Sequence, residues 1–185
     1  MARSTGSPPA RPSGRCSRLA ERLIDFAHVD ASTDWHPIDD VVMGGVSQSS
    51  LQPYARGAAC FGGIVSLQHG GGFASVRTEP RKWNTAGAHA FVVRCRGDGR
   101  QYKFTVRTDD GFDGVQYQVR FQPPRGEWVE MELPIASFVA SFRGRPVTGA
   151  GPLDPAKVRQ LGLMVSDKQA GAFELLLEWI AVARK

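Results

Sequence analysis

The sequence predicts an all-β protein: a two-sheet sandwich or jelly roll with one or two short helices. Three observations lead there. Apolar and polar residues alternate with period two in several short runs. Twenty-one glycines and twelve prolines punctuate the 185 residues at a density that suits tight turns between short strands. Helical periodicity is nearly missing.

Residues 1–16 (MARSTGSPPARPSGRC) are rich in Pro, Ser, Gly and Arg and are expected to be disordered. The basic tail is taken to residue 22, and the sandwich domain to span 23–185. Such a tail suits a bacterial, cytoplasmic protein; the alternative is a transit peptide for the mitochondrial matrix. Ser17 to Ala27 can form a short amphipathic helix with Leu19, Leu23 and Phe26 on one stripe.

From about residue 35 the chain reads as strands. In 101–108, Tyr102, Phe104 and Val106 point one way and Lys103, Thr105 and Arg107 the other. In 114–121, Val115, Tyr117, Val119 and Phe121 face inward, against Gln116, Gln118 and Arg120 outward. In 127–133, Val129, Met131 and Leu133 are expected inside, with Trp128, Glu130 and Glu132 outside. Further strands are expected at 57–67, 73–78, 89–96, 158–166 and 172–182. Asp154 can cap a brief helical turn that has Pro155 at its first position and runs to about Gln160.

The net charge of +5 resides in the tail. Arg3, Arg11, Arg15, Arg18 and Arg22 stand there against Glu21; without them 18 basic and 17 acidic residues remain of the 23 and 18. A nearly neutral body argues against nucleic acid as a partner. No run of apolar residues is long enough to span a membrane as a helix. Cys16, Cys60 and Cys95 form neither a metal spacing nor an even disulfide set.

No nucleophile elbow, phosphate loop or zinc helix is present, so no catalytic residue, metal or cofactor is expected. His28, His36, His69 and His89 are scattered. His36, Asp39 and Asp40 form the densest polar group, but Pro37 splays them and favours a loop over a metal site. Asp109, Asp110 and Asp113 could hold calcium, although Asp-Gly turns are ordinary hairpin chemistry. If 89–96, 101–108 and 114–121 are neighbours, Arg94, Arg96, Lys103, Arg107 and Arg120 share one face with Gln116 and Gln118. That face is either a solvated surface or a cationic groove, with Trp128 as a flat platform beside it.

Trp35, DDVVMGGVS (Asp39–Ser47) and FGGIVSLQHGGGFASVR (Phe61–Arg77) resemble the opening of the complex I intermediate-associated protein 30 family. RGDGRQYKF (Arg96–Phe104), FRGRPV (Phe142–Val147) and LGLMVSDKQAGAFELLLEWI (Leu161–Ile180) resemble its middle and end, in order, over about residues 23–182. The resemblance implies a galactose-binding-like β-sandwich, a shape shared with carbohydrate-binding modules. It also implies a chaperone-like task in assembling respiratory complex I, with no catalytic residues to carry over. The family's usual Asn before Gly-Gly-Phe is Gly70 here, which keeps the backbone freedom and loses the amide.

Within those strings Asp40, Met43, Gly44, Gly45, Gly71 and Gly72 are expected to build loops, and Asp167, Lys168 and Gln169 to lie in a polar turn fit for binding. The expected function is therefore a non-enzymatic accessory domain. It binds a protein, with subunits of a respiratory complex the foremost candidates. The alternatives are a carbohydrate- or small-anion-binding module and an enzyme using Asp40, Asp109 or His36.

Overall fold

A computed structural model of the protein describes residues 20–184. Cys16 and the tail up to residue 19 lie outside the described residues, as do the side chains of Val42 and Met43. Thirteen strands follow one another: β1 (Ala20–Asp25), β2 (Trp35–Pro37), β3 (Gln48–Tyr54), β4 (Ala58–Val65), β5 (Ala74–Thr78), β6 (Ala88–Gly97) and β7 (Tyr102–Arg107). Then come β8 (Gln116–Phe121), β9 (Trp128–Pro134), β10 (Val139–Phe142), β11 (Arg145–Pro146), β12 (Gln160–Val165) and β13 (Gly171–Arg184). Helical structure among the described residues is confined to short 3-10 turns. One is the turn expected from Pro155, which ends at Lys157 rather than near Gln160, where β12 begins; its Asp154 side chain accepts from Ala156 N.

The strands form two antiparallel sheets. One has the order β3-β4-β13-β6-β9, with β1 also on β13; the other runs β11-β10-β8-β7-β12-β5-β2. The protein is a galactose-binding-like jelly-roll sandwich. Between the sheets lies one core in which Phe61, Phe91, Tyr102, Phe104, Phe121, Met131, Leu161, Leu163 and Leu175 are fully buried. Edge and tilted aromatic contacts, such as Phe61 on Tyr102 at 6.3 Å and Phe91 on Phe104 at 5.1 Å, join the two layers. Alternation explains the strands directly: in β8, Tyr117, Val119 and Phe121 are buried while Gln116, Gln118 and Arg120 are not.

Two expectations are corrected. The helix over 17–27 is a strand where it can be seen: Ala20–Asp25 pairs with Ala183–Trp179, so residues counted with the tail enter the sheet. The chain gains more by completing the edge of β13 than an isolated, short helix could offer. The second correction concerns adjacency. β6 and β7 are not neighbours but lie in different sheets, and β9, not β7, borders β6. The four residues 98–101 carry the chain across the sandwich, so Arg94, Arg96 and Trp128 face away from one sheet, and Lys103, Arg107 and Arg120 from the other.

Membership of β1 in the core can be tested through Ile24, which is 5% exposed and sits opposite Ile180. Ile24→Ala is expected to lower unfolding stability by about 2–4 kcal/mol in urea titrations, whereas a tail residue would give none of this loss.

Candidate functional site

Two aspartates fix the corner from which the site is built. β2 ends at Pro37, and two residues later Asp39 meets both sheets. Asp39 accepts from Ser49 N (2.9 Å) and Ser49 Oγ (2.6 Å) on β3, and from Ser75 N (2.9 Å) on β5. Asp40 is 1% exposed and accepts from Ser47 N (2.9 Å), Ser47 Oγ (2.6 Å), Gly72 N (2.7 Å) and Phe73 N (3.3 Å). Burial pushes the Asp40 carboxyl up, but the bonds from Ser47, Gly72 and Phe73 outweigh it and hold the pKa below the ordinary 3.8. A side chain at Gly45 or Gly71 would fall on this carboxylate, and Gly44 and Gly72 adopt φ of 89° and 143°. The strings Asp39–Ser49 and Gly71–Ser75 are therefore halves of one polar knot.

A second interlock joins 97–101 to 166–172. Asp98 accepts from Tyr102 Oη (2.9 Å) and Glu174 N (3.1 Å), and Arg100 donates to the carbonyls of Gln169 (2.9 Å) and Ala172 (2.8 Å). Gln169 pairs both ways with the Gln101 backbone, at 3.0 and 2.7 Å. Its amide is committed to structure, while Lys168 is exposed. The turn places Asp167, at φ 61°, against Lys103 Nζ (2.9 Å) and Arg120 Nε (3.3 Å). Burial would raise the Asp167 carboxyl; Lys103 and then Arg120 reverse this and lower it.

The carboxylates of 109–113 do not converge. Asp110 goes to Arg159 and Asp113 to Arg143 at 2.7 Å. Asp109 goes to Arg107, whose guanidinium is 3% exposed and also reaches the carbonyls of Asp113 (2.8 Å), Gly114 (3.3 Å) and Phe112 (3.5 Å). The loop wraps a cation after all, and that cation is the chain's own arginine.

These supports hold the outer face of the seven-stranded sheet. Register places His36, Arg77, Gly162, Thr105, Gln118 and Val139 in one row crossing six strands. Ser75, Met164, Lys103 and Arg120 flank it on one side, Gln160 and Arg107 on the other. Gly162 has no room for a side chain, because a Cβ would fall on Thr105 Oγ1. At the β2 end the row opens into a cleft of about 290 Å³ lined by His36, Ile38, Arg77, Glu79, Phe112 and Gln160.

Of the expected site residues, the structure brings together Lys103, Arg107, Gln118, Arg120 and Asp167. Arg94, Arg96 and Trp128 form a separate group on the opposite face, where Arg94 pairs with Glu178 (3.3 Å) and both guanidinium carbons lie within 6.0 Å of the Trp128 ring centroid. His36 pairs with Glu79 at 2.9 Å, leaving Asp39 and Asp40 to the knot. Arg77 and Phe112 escaped sequence reasoning: Arg77 sits in an apolar-looking run, and Phe112 between aspartates reads as turn filler. Cys95 is buried, its thiol pushed up to about 12, and Cys60 is raised by burial and by Glu174.

The profile of the family described as Complex I intermediate-associated protein 30 matches residues 24–177. The chain belongs to that family. It is 28% identical over 172 residues to an uncharacterised protein of Schizosaccharomyces pombe, covering 82% of this chain and 78% of that one. It is 26% identical to the mitochondrial complex I intermediate-associated protein 30 of Drosophila melanogaster (86% and 62% covered) and to that of Mus musculus (95% and 60%). This chain thus spans about three fifths of those two proteins. In fold it is similar to a family 11 carbohydrate-binding module from a cellulosomal cellulase of Clostridium thermocellum, with a TM-score of 0.66, 14% identity and 89% and 94% of the chains covered. The module of that family and organism in complex with a β-1,3-1,4-mixed-linked tetrasaccharide superposes with a TM-score of 0.64 at 16% identity, covering 91% and 98%.

Because the Asp40 pKa is lowered on folding, its stabilisation is complete above 3.8 and is lost as the pH falls through the lowered folded value. Asp40→Asn should cost about 3 kcal/mol at neutral pH and flatten this acid limb in urea titrations across pH. For the 109–114 loop, millimolar calcium should leave the melting temperature unchanged, and Arg107→Met should lower stability by about 1–3 kcal/mol by leaving the Asp113 and Gly114 carbonyls without their donor.

Proposed function

We propose that the protein is a non-enzymatic accessory domain that binds a protein partner on the outer face of its seven-stranded sheet and assists assembly of respiratory complex I. The observation that carries this reading is the transverse row from His36 to Val139, a continuous lane of mixed polarity held by loops that spend their acids on buried cations. Family membership supports the assembly task, since the fly and mouse relatives bear the name complex I intermediate-associated protein 30. Both are named as mitochondrial, which favours the mitochondrial matrix over the bacterial cytoplasm for this chain. No helix among the described residues is long and apolar enough to cross a membrane.

A second reading gives the same face to a glycan. It is supported by the shared fold with a tetrasaccharide-bound module and by the exposed Phe112 ring at the cleft.

Tagged full-length protein in its native cell should co-purify complex I subunits. The pair Gln118→Glu and Val139→Asp should cut that recovery by about fivefold or more without changing the melting temperature. Arg96→Ala with Trp128→Ala, on the opposite face, should leave it intact. Recovery of no complex I subunit, or loss through the opposite face alone, defeats the assembly reading. Saturable glycan binding abolished by Phe112→Ala would favour the second.

A further inference from the structure

Arginines and lysines on the outer face of the seven-stranded sheet mostly have acids of their own. Lys103 and Arg120 share Asp167, and Arg107 has Asp109; on the neighbouring loops Arg159 has Asp110 and Arg143 has Asp113. Arg77 does not. A guanidinium offers five donors, and among the described residues the one bond from Arg77 is Nη2 to the Phe112 carbonyl at 2.8 Å. Burial, and then the charge of Arg107, bring Arg77 down to about 10, against the opposing pull of Asp109 and Asp113, neither of which pairs with it directly among the described residues. The acids of the cleft rim are engaged elsewhere: Glu79 by His36 and Asp110 by Arg159.

We propose that Arg77 and the cleft beside it form a carboxylate-binding subsite at the β2 end of the transverse row. The geometry selects the ligand class. A planar monoanion can take two N–H groups of one guanidinium side by side. The Phe112 ring, 68% exposed, lies 5.3 Å from the guanidinium carbon and shields one flank of the contact from water. A phosphate dianion would place more negative charge between Glu79 and Asp110 than one unpaired arginine can offset. About 290 Å³ accommodates one acidic side chain or one chain terminus, which enters while the rest of an extended segment continues over Gly162 and Thr105. This inference rests on the outer face being the docking surface and names the chemistry that the partner must bring to it.

The test is an NMR titration of ¹⁵N-labelled full-length protein, following backbone amides and the Arg77 Nε–H. Probes are acetyl-triglycine with a free carboxylate, acetyl-Gly-Glu-Gly-amide, acetyl-tetraglycine amide and inorganic phosphate. The expected result is saturable, millimolar-range shifts at Arg77, Gly111, Phe112 and Gln160 with one or both carboxylate probes and none with the neutral amide. Whichever carboxylate probe binds tighter identifies a chain terminus or an acidic side chain as the source. Arg77→Gln should weaken binding by roughly tenfold or more, and Arg77→Lys by less, since an ammonium is a point charge. Arg77→Lys also keeps the test decisive if Arg77→Gln fails to fold. Equal shifts with the neutral amide, tighter binding of phosphate than of either carboxylate, or unchanged affinity in a folded Arg77 variant would overturn the subsite. The probes need no partner, so a negative titration removes the carboxylate subsite alone, while co-purification decides the docking surface separately.

Discussion

Asp39 ties Ser49 of β3 to Ser75 of β5, and these strands belong to different sheets. A sandwich core is non-directional: apolar burial brings two layers together but leaves their relative slide weakly specified. Directional bonds to one carboxylate, from the N–H and hydroxyl of Ser49 on one side and from the N–H of Ser75 on the other, remove that freedom. Asp40 then pins the loops Gly44–Ser47 and Gly71–Phe73 to the same corner. Everything placed on β2 and β5, including His36 and Arg77, inherits its position from this pair.

The outer face of the seven-stranded sheet follows a consistent electrostatic rule. Its cations rise from strands and its anions descend from loops, so Lys103 and Arg107, 7% and 3% exposed, pair with Asp167 and Asp109. The acids of these pairs are about half exposed, so solvent screens the pairs and their net contribution to stability is small. Their effect is to hold each loop over the sheet edge in one place. The opposite face uses a different device, with Arg94 and Arg96 laid against Trp128.

How far these features were legible depends on their periodicity. Every run with sustained alternation is a strand, because β4–β9, β12 and β13 each bury one face on the core. β3 escaped notice because QSSLQPY buries Leu51 alone, and β10 and β11 are too short to show a period. β1 carries Leu23 and Ile24 at a register shift, with Phe26 just beyond its end, a pattern that helical spacing mimics. The false groove containing both Arg94 and Lys103 arose at Gly97–Gln101, where a short glycine-bearing link suits a hairpin and a crossing between sheets equally well. The discriminating partner, Glu174 N on Asp98, lies far away in the chain. The glycines around Asp40 were readable as structural, but the carboxylate they surround could not be identified from spacing.

β13 is the longest strand and the centre of its sheet, pairing with β1, β4 and β6, all of which precede it. No stretch of the chain synthesised before Gly171 can complete that sheet. The growing polypeptide must carry unpaired edges on β4 and β6 until its last strand is made. A chain with this topology leaves the sheet open between β4 and β6 until β13 arrives to fill it. The same arrangement leaves it open to capture by chaperones, and open to mispairing, for as long as β13 is missing.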